Sequence, residues 1–186
     1  MRIYLIRHGP PKIVQGEYYH SHLSKEGELQ TKKLAKSGKI PKPDRIYTSP
    51  YNRAIDTARI FSDQFNVDFV VKDCLKEWNL QSLNLQEEYD EEERKGWEDH
   101  SVKVLGNESL DDVKKRIMAC VQQLIEDNQD ADTLLLVSHG TIIDMFCTKI
   151  ADRAPVIADI KKSTHLDYTI VTFNSGKFIL SKEIQN

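Results

Sequence analysis

The run Thr133-Leu134-Leu135-Leu136-Val137 most narrows what this chain can fold into. Such a stretch, apolar without polar alternation, fits a strand covered on both faces, as in a parallel sheet held between two helical layers. It stops at Ser138-His139-Gly140, after which Ile142, Ile143, Met145, Phe146 and Ile150 continue as a buried helix. Two further segments repeat the pattern of a strand ending in polar residues. Ile3 to Ile6 is short, apolar and partly β-branched, and stops at Arg7-His8-Gly9. Arg45-Ile46-Tyr47-Thr48 reads as a strand, with Ser49 as N-cap of the next helix and Pro50 at its first position, where a missing N–H costs nothing. Ala54, Ala58, Phe61 and Phe65 then recur at helical spacing.

The remaining segments fit around these units. Ser24 to Ser37 reads as a helix with Ser24 as N-cap and Gly38 as stop. Phe69 to Val71 is a further strand. Ser109 with Asp112 resembles a capping box, opening a helix whose inner face is Leu110, Val113, Ile117, Cys120 or Val121, and Leu124. Asp167–Phe173 and Lys177–Leu180 flank Asn174-Ser175-Gly176, a hairpin signal. Alternating strands and helices predict an α/β fold of three layers, α/β/α, with a mainly parallel sheet and an antiparallel edge strand. The 186 residues fit one domain over residues 1–186, with residues of about 82–107 as a lid or cap insertion.

Charge and composition exclude several classes. A formal net charge of −3 offers no global basic field for nucleic acid or an anionic membrane. No apolar run reaches membrane-span length, and the apolar start is too short for a signal peptide and is interrupted by Arg7. The chain therefore reads as soluble and cytoplasmic. Cys74, Cys120 and Cys147 are odd in number, widely spaced and set in or beside apolar runs, so the expectation is three reduced core thiols.

In open α/β sheets ligands bind beyond the carboxyl ends of the strands. Three such ends here deliver Arg7-His8, Ser49 through Arg53, and His139. Arg7 and Arg53 would supply planar, permanent cations matched to phosphate oxygens. Arg53 lies in the first turn of its helix, where the helix N-terminus adds partial positive charge. Flanking cations disfavour a protonated His8 and leave its lone pair free to accept a phosphoryl group. His139 would donate a hydrogen bond to a non-bridging oxygen. The leaving alkoxide needs a proton, and Glu77, with Leu75, Trp78 and Leu80 to desolvate it partly, is the leading donor, with Glu88 and then Glu87 as alternatives. The carboxylates are not grouped as a metal cradle, so no metal and no other cofactor is expected.

Arg7-His8-Gly9, the segment Tyr47-Thr48-Ser49-Pro50-Tyr51-Asn52-Arg53-Ala54-Ile55-Asp56-Thr57-Ala58, and Ser138-His139-Gly140 together resemble the histidine phosphatase superfamily, with its phosphoglycerate-mutase-like fold. The likeness extends through Leu23-Ser24-Lys25-Glu26-Gly27 with Gln30, through Gly106-Asn107-Glu108-Ser109 and into the last hairpin. It thus covers nearly the whole chain in the family's order. The resemblance implies His8 as phosphohistidine nucleophile, Arg7, Arg53 and His139 as phosphate pocket, and Glu77 as proton donor. Gly140 after His139 resembles the mutase and small-phosphatase branch. The chain departs from the family in carrying Pro10-Pro11-Lys12-Ile13-Val14 where polar residues commonly stand, and Gln81-Ser82 where a glycine commonly follows the acid. It is also shorter than the classical mutases, which must enclose the phosphoenzyme. The expected partner is a small phosphorylated substrate, and the expected reaction is metal-independent hydrolysis of a phosphomonoester. A phosphoglycerate-type mutase and a phospho-binding regulatory module with little turnover are the alternatives.

Four further features carry expectations. His20-Ser21-His22 reads as loop histidines at the pocket mouth rather than a metal pair. The acidic run from Glu87 to Glu93 reads as a solvated helix face, with a lid presenting Tyr89 or Trp97 as the second reading. Lys114 and Arg116 read as surface charges. His165 receives no role.

Overall fold

A computed structural model describes residues 1–12, 20–78, 86–104, 107–155 and 163–184. Leu80, Gln81 and Ser82 lie outside the described residues, as do the side chains of Glu87, Glu88 and Tyr89. In chain order the elements are β1 (Arg2–Arg7), α1 (Lys25–Lys36), β2 (Arg45–Thr48), α2 (Asn52–Phe65), β3 (Phe69–Val71), a 3₁₀ turn (Asp73–Leu75), α3 (Gln86–Glu98), α4 (Leu110–Asp127), β4 (Thr133–Ser138), α5 (Gly140–Ile150), β5 (Tyr168–Asn174) and β6 (Lys177–Ile184).

The six strands form one sheet in the order β3-β2-β4-β1-β5-β6. Strands β1 to β4 run parallel, whereas β5 and β6 are antiparallel, so the antiparallel edge is a strand pair. Strand β4, the run that suggested the architecture, is buried along its whole length. Strand pleating sends alternate residues to opposite faces. Ile3, Leu5, Leu134 and Leu136 pack with α4 and α5, while Tyr4, Ile6, Leu135 and Val137 pack with α1 and α2. Each face of the sheet thus has its own apolar core, which makes the three layers.

Local chemistry sets the element ends. Ser24 Oγ accepts from Gly27 N and starts α1, and Gly38 beyond its end adopts φ 74°. The capping box at Ser109 and Asp112 is formed in both directions, at 3.1 and 3.2 Å. Ser175 and Gly176 have φ values of 49° and 78°, the paired positive values of a two-residue hairpin turn.

Two expectations need correction. Helix α2 is capped by Tyr51 rather than Ser49, without a side-chain cap bond; Ser49 Oγ lies two residues earlier, accepting from Tyr51 N at 3.3 Å and meeting His139 Nε2 at 2.7 Å. The three cysteines are not all thiols. Cys74 and Cys120 are disulfide-bonded with Cα atoms 5.8 Å apart, and only Cys147 is a buried thiol outside any disulfide. Packing of the 3₁₀ turn on α4, anchored by wholly buried Leu75, brings the pair together. No helix among the described residues is long and apolar enough to cross a membrane.

Candidate active site

Register explains why the predicted residues meet. Arg7 pairs with Ser138 across β1 and β4, so His8 and His139, each one residue further on, leave the sheet at the same height. Thr48 pairs with Val137, placing Ser49 and the start of α2 beside them. The His8 and His139 rings lie 5.1 Å apart, and both residues are buried.

Arg53 joins the two rings. It is wholly buried; its Nε donates to His8 Nε2 at 3.0 Å, and its Nη2 meets His139 Nδ1 at 3.3 Å. Its guanidinium also stands 5.1 Å from the centre of the Tyr51 ring. An arginine has no proton-accepting atom, so each of these ring nitrogens is a lone-pair acceptor. The opposite nitrogens then carry the protons. His8 Nδ1 donates to Gly9 O at 2.8 Å, and His139 Nε2 donates to Ser49 Oγ at 2.7 Å. Thr57 supports this arrangement by accepting from Gly9 N at 3.0 Å and donating to Arg53 O at 2.7 Å.

Arg7 completes the cationic wall. Its Nη1 donates to Ser163 O at 2.7 Å, while its buried Nε–H has no acceptor among the described residues. Such an orphaned donor costs free energy unless an acceptor arrives, and an anion would supply one. Gly140 opens α5 directly against this guanidinium, where a β-carbon would stand 3.5 Å from it.

Burial, then the charge of Arg53, holds the pKa of His8 well below its ordinary value, with Arg7 adding to the effect. Burial and Arg53 lower His139 in the same direction. Both rings are therefore neutral near pH 7. This has a consequence for stability. Unfolded, these histidines would bind protons below about pH 6.5, whereas folded they resist doing so. Their contribution is present above that pH and is lost as the pH falls toward the folded values. The phosphate-free protein should lose melting temperature between about pH 7 and pH 5, and His139→Gln should shrink that loss. A thermal-denaturation series across pH tests this.

Glu77 reaches the same rim. Its Oε1 accepts from Trp78 N at 2.8 Å and its Oε2 lies 3.4 Å from Thr141 N, at the start of α5 beside His139. The residue is half-buried.

His165, given no role from sequence, joins the site. Its ring lies 5.2 Å from that of His8, and burial with the charges of Arg7 and Arg53 lowers its pKa to about 4. The loop carrying it enters antiparallel β5 at the end of the sheet where the parallel strands finish. Leu166 N donates to Arg7 O there, at 3.1 Å. Only the pairing of β5 beside β1 could have signalled it.

The other candidates stand apart from this cluster. His22 Nδ1 contacts Asp56 Oδ2 at 2.8 Å and its Nε2 contacts Asn52 Nδ2 at 3.2 Å, tying its loop to α2; Asn52 also donates to His20 O. Among the described residues no group of three or more His, Cys, Asp or Glu side chains could hold a metal ion. Trp97 packs on the larger core, and a β-carbon at Gly96 would run into the Trp78 ring. Lys114 pairs at the surface with Asp111. Arg116 is not a surface charge: it is largely buried against Glu108 and the backbone preceding Glu77.

Known proteins show the same arrangement of chain. A bifunctional protein of Mycobacterium tuberculosis is 32% identical over 180 residues, which covers 89% of this chain and 48% of that protein. The chain spans about half the length of the first curated relatives it matches. A phosphoserine phosphatase from Entamoeba histolytica, solved with phosphoserine, superposes with a TM-score of 0.80 at 22% identity, covering 98% of this chain and 95% of that one. A mycobacterial glucosyl-3-phosphoglycerate phosphatase gives 0.77 at 23% identity, covering 97% and 96%. These likenesses show the fold. The family itself is shown by a match running from residue 3 to residue 184, and the chain belongs to the histidine phosphatase superfamily (branch 1).

Proposed function

We propose that this protein is a phosphatase that hydrolyses a small phosphomonoester through a phosphohistidine on His8. The observation that carries the reading is the lone pair of His8 Nε2. It is fixed by the Nδ1–H bond to Gly9 and faces Arg53, beside an Arg7 donor that has no acceptor among the described residues.

The chemistry follows from these groups. A bound phosphoryl group would take the Arg53 and Arg7 donors, releasing His8 Nε2 to attack phosphorus in line with the ester oxygen. The N–P bond forms as the P–O ester bond breaks, and the leaving alkoxide takes the proton of the Glu77 carboxyl. The resulting carboxylate then accepts a proton from water, whose oxygen attacks phosphorus. The N–P bond breaks, inorganic phosphate leaves, and both His8 and the protonated Glu77 are restored. Charge on the transferred oxygens is met by two guanidiniums and by the start of α2, with His139 holding the Arg53 fork in place. The phosphorylated hydroxy acids named for the structural relatives support small, carboxylate-bearing phosphate esters as the first substrates to try.

The test is a panel of phosphate esters, 4-nitrophenyl phosphate included, assayed with excess chelator. Turnover should persist with inorganic phosphate as product. Strict dependence on an added divalent metal, or transfer of the group chiefly to an acceptor other than water, would contradict the proposal.

A further inference from the structure

The residue that donates the proton must be held more tightly than its setting suggests. Glu77 lies between the 3₁₀ turn and residue 79, in a stretch that belongs to no strand or helix. Its backbone is instead mounted on α4. Arg116 grips Glu108 with both prongs, Nε to Oε1 at 2.6 Å and Nη2 to Oε2 at 2.8 Å. Its remaining Nη1 donates to Cys74 O at 2.8 Å and to Lys76 O at 3.0 Å, the latter being the residue directly before Glu77. The indole Nε1 of Trp78, directly after Glu77, donates to Glu108 O at 2.9 Å. One helical turn beyond Arg116, Cys120 is bonded to Cys74 of the same stretch. On the sheet side, Ser138 Oγ donates to Leu75 O at 2.8 Å.

Both neighbours of Glu77 are thus tied to the two residues of one ion pair, Lys76 by its carbonyl to the Arg116 guanidinium and Trp78 by its indole to the Glu108 carbonyl. An exposed pair of this kind contributes little to stability. This one is largely covered, with side-chain exposures of 16% and 24%, and it spends two extra donors on one short stretch of backbone. The planar fork of arginine fixes those carbonyls relative to Glu108 in a way that the single ammonium of lysine cannot.

We infer that Arg116 and Glu108 are positioning residues for proton donation, acting through the Lys76 carbonyl before Glu77 and the Trp78 indole after it to set the Glu77 carboxyl against the ester oxygen. The inference rests on Glu77 being the proton donor. It makes these two residues matter in proportion to how badly the leaving group needs a proton. A loss of folding alone would not discriminate in that way.

The experiment compares kcat for 4-nitrophenyl phosphate, a good leaving group, with kcat for phenyl phosphate, a poor one. It uses the wild type, Glu77→Gln, Arg116→Lys, Glu108→Gln, and the double variant of Glu77→Gln with Arg116→Lys. Because general acid catalysis contributes most where the leaving group is most basic, the phenyl-to-nitrophenyl ratio should fall about tenfold or more in Arg116→Lys and Glu108→Gln, and further in Glu77→Gln. The double variant should show the same ratio as Glu77→Gln alone, since the positioning residue has nothing left to position. If Arg116→Lys does not fold, Glu108→Gln, which keeps the arginine, carries the comparison. A ratio within about twofold of wild type in both positioning variants, with Glu77→Gln discriminating as expected, overturns the inference and leaves the proton donor standing. An unchanged ratio in Glu77→Gln overturns the assignment of the donor, and the inference with it.

Discussion

Replacing His8 by alanine should lower turnover by roughly 10⁴-fold or more while leaving phosphate binding in place, because loss of a covalent nucleophile removes the reaction path and not the pocket. The imidazole supplies the only protein atom proposed to form a bond to phosphorus. Arg7, Arg53 and the start of α2 remain, and they carry the charge that holds an anion. Arg53 Nε would lose its acceptor, so the empty variant should be somewhat destabilised, by about 1–3 kcal/mol at most. Added phosphate or vanadate would restore an acceptor and should raise the melting temperature of the variant at least as much as that of the wild type. Steady-state kinetics and thermal shift, run side by side, check both halves. Loss of activity with loss of anion-induced stabilisation would point to a broken pocket instead.

The second large effect is expected at Arg53. This guanidinium is wholly buried and touches both histidines, so it orders the two rings before substrate arrives and meets the phosphoryl oxygens afterwards. Arg53→Lys keeps the charge but loses the planar fork, and kcat/KM should fall roughly 10²- to 10³-fold. Arg53→Met removes the charge as well and carries a signature of its own. After burial, the Arg53 charge is the strongest influence holding His8 neutral. Without it the His8 pKa rises toward the ordinary value, though burial keeps it from arriving there. His8 in the wild type stays unprotonated well into acid, so the acid limb of kcat/KM attributable to it should lie below about pH 6.5. In Arg53→Met that limb should move toward neutrality. A pH–rate profile with an unmoved limb would show that Arg53 does not set the protonation state of His8.

How much of this was legible in the sequence depends on the range of the interactions involved. Strand β4 announced itself because five successive covered positions leave no room for polar alternation, and the capping box at Ser109 was legible because both of its partners lie within one turn. The convergence of His8, Arg53 and His139 followed from three strand ends alone, since a parallel sheet brings such ends to one edge. Interactions between segments distant in sequence left little trace. Ser49 looked like a helix cap because its neighbours suit one, but the helix starts later, and the hydroxyl it turns to Tyr51 N is shared with His139, which arrives from the end of β4. His165 arrives from an antiparallel strand whose place beside β1 no local pattern encodes. Cys74 and Cys120 are 46 residues apart and Arg116 reaches carbonyls about 40 residues away, and spacing at that range carries no pairing information. On its own helix Arg116 looks solvated; in the fold it holds the backbone beside the proposed acid.

The central claim is the covalent intermediate on His8, and the most direct measurement is to trap it. Rapid mixing with a radiolabelled phosphomonoester, quenched under denaturing conditions, should leave label on the protein that is stable in alkali, lost in acid and mapped to the peptide carrying Arg7-His8-Gly9. His8→Ala should trap none. Turnover with no trapped label under single-turnover conditions, or label that survives acid and maps to another residue, would contradict the account.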